Sequence, residues 1–264
     1  MKNILFFVTL FYSMGINAQL KEGRIVYERT VQLPVRMFNA DPAIASQLPK
    51  ERVDQFELLF TGTHSLWQYL PEAEKEGDAG TFQSNGMVVR FMGSANEISY
   101  FDFEKAIRID QREMFDRSFV VTDSIRKLDW KLSDETRTIQ DRTVRKATST
   151  RISNSTRMSM ENGQMKRTTV EDTAIVIAWF TTDIPVPAGP EYQGQLPGMI
   201  LELDIDNGQT VFKAIELSSR VNTRKIKAPK DGKKLTAGEY TKEREKMMEE
   251  MRLNNPNGRI RIQQ

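Results

Sequence analysis

Arg145-Lys146-Ala147 and Ile175-Val176-Ile177-Ala178-Trp179-Phe180 stand at mirrored distances on either side of Asn162-Gly163. Both residues of an Asn-Gly pair tolerate the positive φ of a type I′ turn, which matches the twist of paired strands. A chain reversing there sets Met160 opposite Met165, Thr150 opposite Ile175 and Lys146 opposite Trp179. The prediction is one unusually long hairpin. Its tip, from about Ile152 to Asp172, is polar and Met-studded, as suits an arm that leaves the core.

Outward from this hairpin the chain is a succession of short alternating segments, which read as strands. They include Arg24-Ile25-Val26-Tyr27-Glu28, Phe56-Glu57-Leu58-Leu59-Phe60, Ser65-Leu66-Trp67-Gln68-Tyr69, Ile98-Ser99-Tyr100-Phe101-Asp102-Phe103, Ile200-Leu201-Glu202-Leu203-Asp204 and Thr210-Val211-Phe212-Lys213-Ala214-Ile215. Further Asn-Gly pairs at Asn85-Gly86 and Asn207-Gly208 predict tight hairpins. Many strands with no helices between them imply a mainly β fold, a strongly curved antiparallel meander sheet or a partly open β-barrel. Asn39-Ala40-Asp41-Pro42 reads as a loop leading into a short helical turn near Ala43 to Arg52, and Pro71 to Gly80 as a polar surface loop. The one clear helix is C-terminal. Thr236-Ala237-Gly238-Glu239 is a capping-box pattern, and Tyr240, Met247, Met248 and Met251 then fall on one face, with Lys246 and Glu250 spaced for an ion pair.

The start of the chain is different in kind. Lys2 precedes the apolar run Ile4 to Tyr12, which gives way to Gly15-Ile16-Asn17-Ala18 before the chain turns polar at Gln19. This predicts a signal peptide over residues 1–18, cleaved after about Ala18, because the run is too short to span a bilayer. No Cys follows, so the expectation is a periplasmic protein that is not a lipoprotein and not membrane-spanning. The expected organisation is a single β domain over 19–235, a helix over 236–254 and a tail over 255–264. With no Cys at all, disulfides and thiolate chemistry are excluded, and stability must come from a hydrophobic core. The balance of 38 basic and 36 acidic residues gives no global attraction to nucleic acid, which is not an expected partner.

The most distinctive segment is Ala178-Trp179-Phe180-Thr181-Thr182-Asp183-Ile184-Pro185-Val186-Pro187-Ala188-Gly189-Pro190, followed by Gly194-Gln195-Leu196-Pro197-Gly198-Met199-Ile200-Leu201-Glu202. It resembles the GLPGLI family of exported Bacteroidetes proteins, whose motif is matched by Leu196-Pro197-Gly198-Met199-Ile200. Gln195 stands where the motif has its first Gly, Met199 replaces the second Leu, and Phe180 replaces the usual Tyr. The long tip is an extension relative to the family pattern. The resemblance implies export and a cell-envelope setting, and no reaction. Physically the segment reads as a corner of the sheet: Pro185, Pro187 and Pro190 lack amide donors and end the strand at Phe180, while Gly194 and Gly198 allow close backbone approach. A ligand- or partner-binding site made by Trp179, Phe180, Leu196, Pro197 and Gly198 is the alternative.

Chemistry is thinly represented. His64 is the single His, no Gly-x-Ser-x-Gly elbow accompanies it, and no catalytic residue is assigned. The pair Asp102 and Glu104 reads as solvated strand carboxylates. Asp204-Ile205-Asp206-Asn207-Gly208 has the look of a calcium loop but lacks its closing Glu, so a plain turn is expected and neither metal nor cofactor is assigned. The basic cluster Arg220, Arg224, Lys225, Lys227, Lys230, Lys233 and Lys234 lacks interleaved aromatics and reads as a solvated approach to the helix. The expected function is a non-enzymatic binding or accessory protein of the cell envelope, engaging a lipid-like ligand in an apolar concavity or an outer-membrane protein. The alternatives are a structural component of an envelope complex with no small ligand and, more remotely, a hydrolase.

Overall fold

The computed structural model describes residues 19–33, 50–71, 81–84, 87–90, 98–114, 116–161 and 164–254, with the side chains of 81–90, 154–167, 169, 252 and 254 left aside. The signal segment 1–18, the loop at 39–42, the turn pairs Asn85-Gly86 and Asn162-Gly163, most of the polar loop after Pro71 and the tail 255–264 lie outside the described residues.

Among the described residues the fold has fourteen strands and a C-terminal α-helix: β1 (Gly23–Gln32), β2 (Glu51–Phe60), β3 (His64–Leu70), β4 (Thr81–Ser84), β5 (Met87–Arg90), β6 (Ile98–Asp102), β7 (Ile107–Met114), β8 (Arg117–Ser124), β9 (Lys131–Ile139), β10 (Arg142–Glu161), β11 (Gln164–Thr181), β12 (Met199–Ile205), β13 (Thr210–Ser218), β14 (Lys233–Thr236) and α1 (Ala237–Asn254). Twelve strands form one sheet in the order β14-β8-β7-β6-β3-β2-β1-β13-β12-β11-β10-β9, and β4 and β5 pair separately. Two meanders, one running from β1 to β8 and one from β13 back to β9, are therefore sewn together by the antiparallel β1–β13 ladder, from Arg24↔Ser218 to Val31↔Thr210. The edges β9 and β14 do not pair with each other, so the sheet is curved and unclosed.

Two expectations need correcting. The meander is mixed, because β14 returns after the long crossing from β13 and pairs parallel with β8, Lys233↔Phe119 to Thr236↔Thr122. Glu51 and Arg52, expected to close a helical turn, instead open β2, where they pair with Gln32 and Val31. Pairing along the whole length of β1 outweighs a weak local helix preference.

The core follows from alternation. Ile25 and Tyr27 of β1, Phe56, Leu58 and Phe60 of β2, and Met199, Leu201, Leu203 and Ile205 of β12 are buried at every second position. Ile184, Val186 and Ala188, in the segment between β11 and β12, are fully buried in the same cluster as Ile25, Tyr27 and Leu58. Each such aliphatic side chain contributes about 1.5–3 kcal/mol through burial.

The long hairpin takes the register read from Asn162-Gly163: Met160↔Met165, Thr150↔Ile175 and Lys146↔Trp179 are all paired. β10 parts from β9 after Thr148, and β11 meets β12 only from Val176 onward. Between those points and the turn, the two strands pair with each other alone among the described residues. At about 3.4 Å per residue this two-stranded ribbon is about 40 Å long. The β12–β13 turn is longer than the two-residue form expected. Residues 206–209 lie outside the ladder, whose last pair is Ile205↔Thr210, and Asp206, Asn207 and Gly208 all have positive φ. Asp204 Oδ1 accepts from the Gly208 amide at 2.6 Å, so the presumed calcium-type carboxylate caps its own turn.

At the helix the capping box is present. Glu239 Oε2 accepts from the Thr236 amide and hydroxyl at 2.8 Å each, and the Glu239 amide donates back to Thr236 Oγ1 at 3.3 Å. These bonds hold the Glu239 carboxyl below its ordinary value. The apolar face is narrower than expected. Tyr240 and Met247 pack with Phe119 and Val121, whereas Met248 and Met251 are exposed. Lys246 and Glu250 approach to 3.9 Å.

Candidate functional site

The segment between β11 and β12 crosses one face of the sheet and packs against β1, β2 and β12 there. It is pinned by backbone bonds, Met199 N to Ile184 O at 3.1 Å, Ile200 N to Ala188 O at 2.9 Å and Gly194 N to Pro187 O at 2.6 Å. Tyr27 Oη donates to Ile200 O at 2.6 Å, and its burial pushes its own pKa well up. Gln195 Oε1 accepts from the Leu128 amide at 2.9 Å and from Trp130 Nε1 at 3.0 Å, which ties the crossing to the linker before β9.

The sequence-predicted site residues divide within this segment. Phe180 and Leu196 are buried in the core, and Pro197 is exposed. Gly198 is buried where an added Cβ would fall 2.1 Å from the Thr181 carbonyl oxygen, so the glycine serves a backbone crossing. Trp179 is half-buried, with the Arg137 guanidinium 4.0 Å above its ring and Lys146 at 5.9 Å. Arg137 in turn pairs with Glu202 at 2.7 Å. None of these five lines the cavity described next.

A cavity among the described residues lies beside the other end of the crossing, at Glu191 and Gln193. It is small, about 70 Å³, and is lined by Arg29, Phe56, Trp67, Ser99, Phe101, Arg108, Glu191, Gln193 and Phe212. Its charged walls are braced from behind. Asp54 is buried and accepts from Arg29 Nη2 at 2.6 Å and Arg52 Nε at 2.8 Å. Asp110, also buried, accepts from Arg108 Nε at 2.6 Å, Arg112 Nη2 at 2.8 Å and Ser99 Oγ at 2.8 Å. Arg29 lies 4.7 Å from the Phe56 ring centroid and Arg108 5.6 Å from that of Phe101. Trp67 stacks on Phe56 at 5.1 Å and meets Phe212 edge-on at 6.1 Å. Gln193 is only 2% exposed, and its Oε1 accepts from Ser65 Oγ at 2.5 Å.

Sequence reasoning missed this site. The available signal was phase: Arg29 shares a strand face with Tyr27, and Asp54 with Phe56 and Leu58, so charge is written into positions that should point inward. Isolated buried charge is costly, and its presence in paired form marks a place to examine.

His64 lies at the other end of β3. Its Nδ1 is 2.7 Å from Thr63 Oγ1 and its Nε2 is 3.7 Å from Asp102 Oδ2. Asp102 is held mainly by Lys105, whose ammonium and amide donate to it at 2.8 and 2.9 Å, and these bonds depress its pKa. Among the described residues no serine hydroxyl bonds to His64, and no group of three or more metal-ligating side chains converges. No helix among them is long and apolar enough to cross a membrane.

Residues 130–202 match the model of a protein family described as a protein of unknown function (Porph_ging). The match runs from Trp130 to Glu202 and so contains the long hairpin, the crossing segment and the start of β12. In fold the chain is similar to PNGF-II, solved in space group C2, with a TM-score of 0.51 at 15% identity over 84% of this chain. A second crystal form of PNGF-II gives 0.49 at the same identity. This chain spans 32% of the length of the first PNGF-II structure, and the likeness at such identity is one of fold. No curated protein matches.

Proposed function

We propose that this chain is an exported, non-enzymatic accessory protein of the cell envelope that engages a protein partner through its long β10–β11 arm and carries no lipid. The observation that carries this reading is the contrast between a filled interior and a two-stranded arm. Ile184, Val186, Ala188 and Leu196 occupy the space that a hydrophobic ligand would need, and the remaining cavity of about 70 Å³ is well below the usual size of a small-molecule pocket. A two-stranded ribbon that joins no third strand among the described residues is marginal in water, and strand addition to such a ribbon is a common mode of recognition. Export and the periplasmic setting rest on the sequence of residues 1–18 and on the GLPGLI resemblance. The non-enzymatic reading rests on the sequence, in which the single His is accompanied by no Gly-x-Ser-x-Gly elbow.

The test compares the full chain with a variant in which residues 153–172 are replaced by a two-residue Asn-Gly link. Both are expressed with the leader and recovered from envelope extracts by crosslinking and affinity capture. The expected result is one envelope protein in stoichiometric yield with the full chain and not with the shortened one, and no lipid on solvent extraction of either. Stoichiometric lipid, or equal capture by both chains, would overturn the reading.

A further inference from the structure

We propose that the cavity beside Arg29, Arg108 and Gln193 is a binding site for a single carboxylate carried on a flat apolar body, a site independent of the arm.

Four features of the site point the same way. First, apart from the exposed Glu191 carboxylate at the rim, its free hydrogen-bonding groups are donors. Arg29 gives Nε and Nη2 to Asp54, and Arg108 gives Nε to Asp110, while their other guanidinium N–H groups have no partner among the described residues. The Gln193 oxygen is taken by Ser65, which leaves its amide N–H groups for an occupant, and the Ser99 hydroxyl is spent on Asp110. An occupant that only accepts is therefore favoured.

Second, the donors are fixed in advance. Each guanidinium is clamped by a buried carboxylate and lies over an aromatic ring, so little side-chain freedom is left to lose on binding. Third, the charge is matched to a monoanion. The lining holds Arg29 and Arg108 against Glu191, with Asp54 and Asp110 each shared with a second arginine behind, which suits a carboxylate better than a phosphate dianion. Fourth, Phe56, Trp67, Phe101 and Phe212 give apolar walls, and the volume admits a carboxylate with the adjoining edge of a ring and excludes a drug-sized body.

The full chain is titrated with benzoate, with its neutral isostere benzamide and with inorganic phosphate, followed by amide chemical shifts and by calorimetry. Benzoate is expected to bind about tenfold or more tightly than either control. Arg108→Gln, which leaves Asp110 with Arg112 and Ser99, should weaken benzoate about tenfold, and Arg108→Lys should lie between it and the parent. Glu191→Gln alters only an exposed rim carboxylate and should tighten benzoate severalfold, keeping the proposal testable if the Arg108 variants unfold. Equal binding of benzoate and benzamide, phosphate binding as tight as benzoate, no saturation by benzoate, or an unchanged affinity in Glu191→Gln would each overturn it.

Discussion

The concave face of this sheet has two ends that share one backbone curvature and differ in what the inward positions carry. Toward β12 those positions are Met199 and Leu201, and the Pro-rich crossing lays Ile184, Val186 and Ala188 on them in one fully buried cluster. Toward β6 and β7 they are Ser99, Phe101, Arg108 and Asp110, and there the crossing supplies only Gln193 and Glu191, leaving a cavity. Curvature alone makes neither a core nor a site. The residue types written at alternate positions decide which it becomes.

That contrast can be broken first at the filled end. Gly198→Ala drives a Cβ into the Thr181 carbonyl, and the expected loss is about 3 kcal/mol or more in denaturant unfolding, since backbone on both sides must move. Leu196→Ala leaves a void under the crossing and should cost about 2–3 kcal/mol in the same measurement. At the open end Asp110→Asn removes the shared partner of two arginines. Because those guanidinium groups are about a third exposed, solvent screening limits the expected loss to about 1 kcal/mol. If Asp110→Asn proves more damaging than Leu196→Ala, the open end is as much core as the filled one.

Away from the concave face the effects are smaller. Thr236→Ala removes the helix cap and should cost up to about 1 kcal/mol, seen as loss of helical signal before global unfolding. Asp102 gives a pH signature. Its folded pKa is depressed by Lys105, so its contribution is present above the ordinary carboxylate range and is lost as pH falls through the folded value. The stability gap between the parent chain and Asp102→Asn should therefore be full at neutral pH and shrink below about pH 4. A gap that is flat with pH would mean the carboxylate is not held by charge.

The long hairpin was legible because its register depends on one turn and on local alternation, both visible in the residues from Arg145 to Phe180. The capping box at Thr236 was legible for the same reason. The parallel β14–β8 pairing was not, since it depends on where a long crossing returns and not on Lys233 to Thr236 themselves. The cavity was hidden for a related reason. Arg29, Trp67, Arg108 and Gln193 come from three strands and a crossing, and only the bend of the sheet makes them neighbours. Trp179 attracted the sequence reading because it lies in a distinctive motif, yet its alternation with Ala178 and Phe180 turns it toward Arg137 and Lys146.

The place of β1 in the middle of the sheet has a consequence in time. Its ladder to β13 joins Arg24 to Ser218, and Tyr27 finds its hydrogen bond at Ile200. Contacts so distant along the chain must meet before the two meanders become one sheet, and loop closure over that span slows folding. A chain leaving the ribosome cannot complete its centre until β13 has been made. Until then its strand edges and apolar alternate positions stay open, the form of the chain most exposed to aggregation.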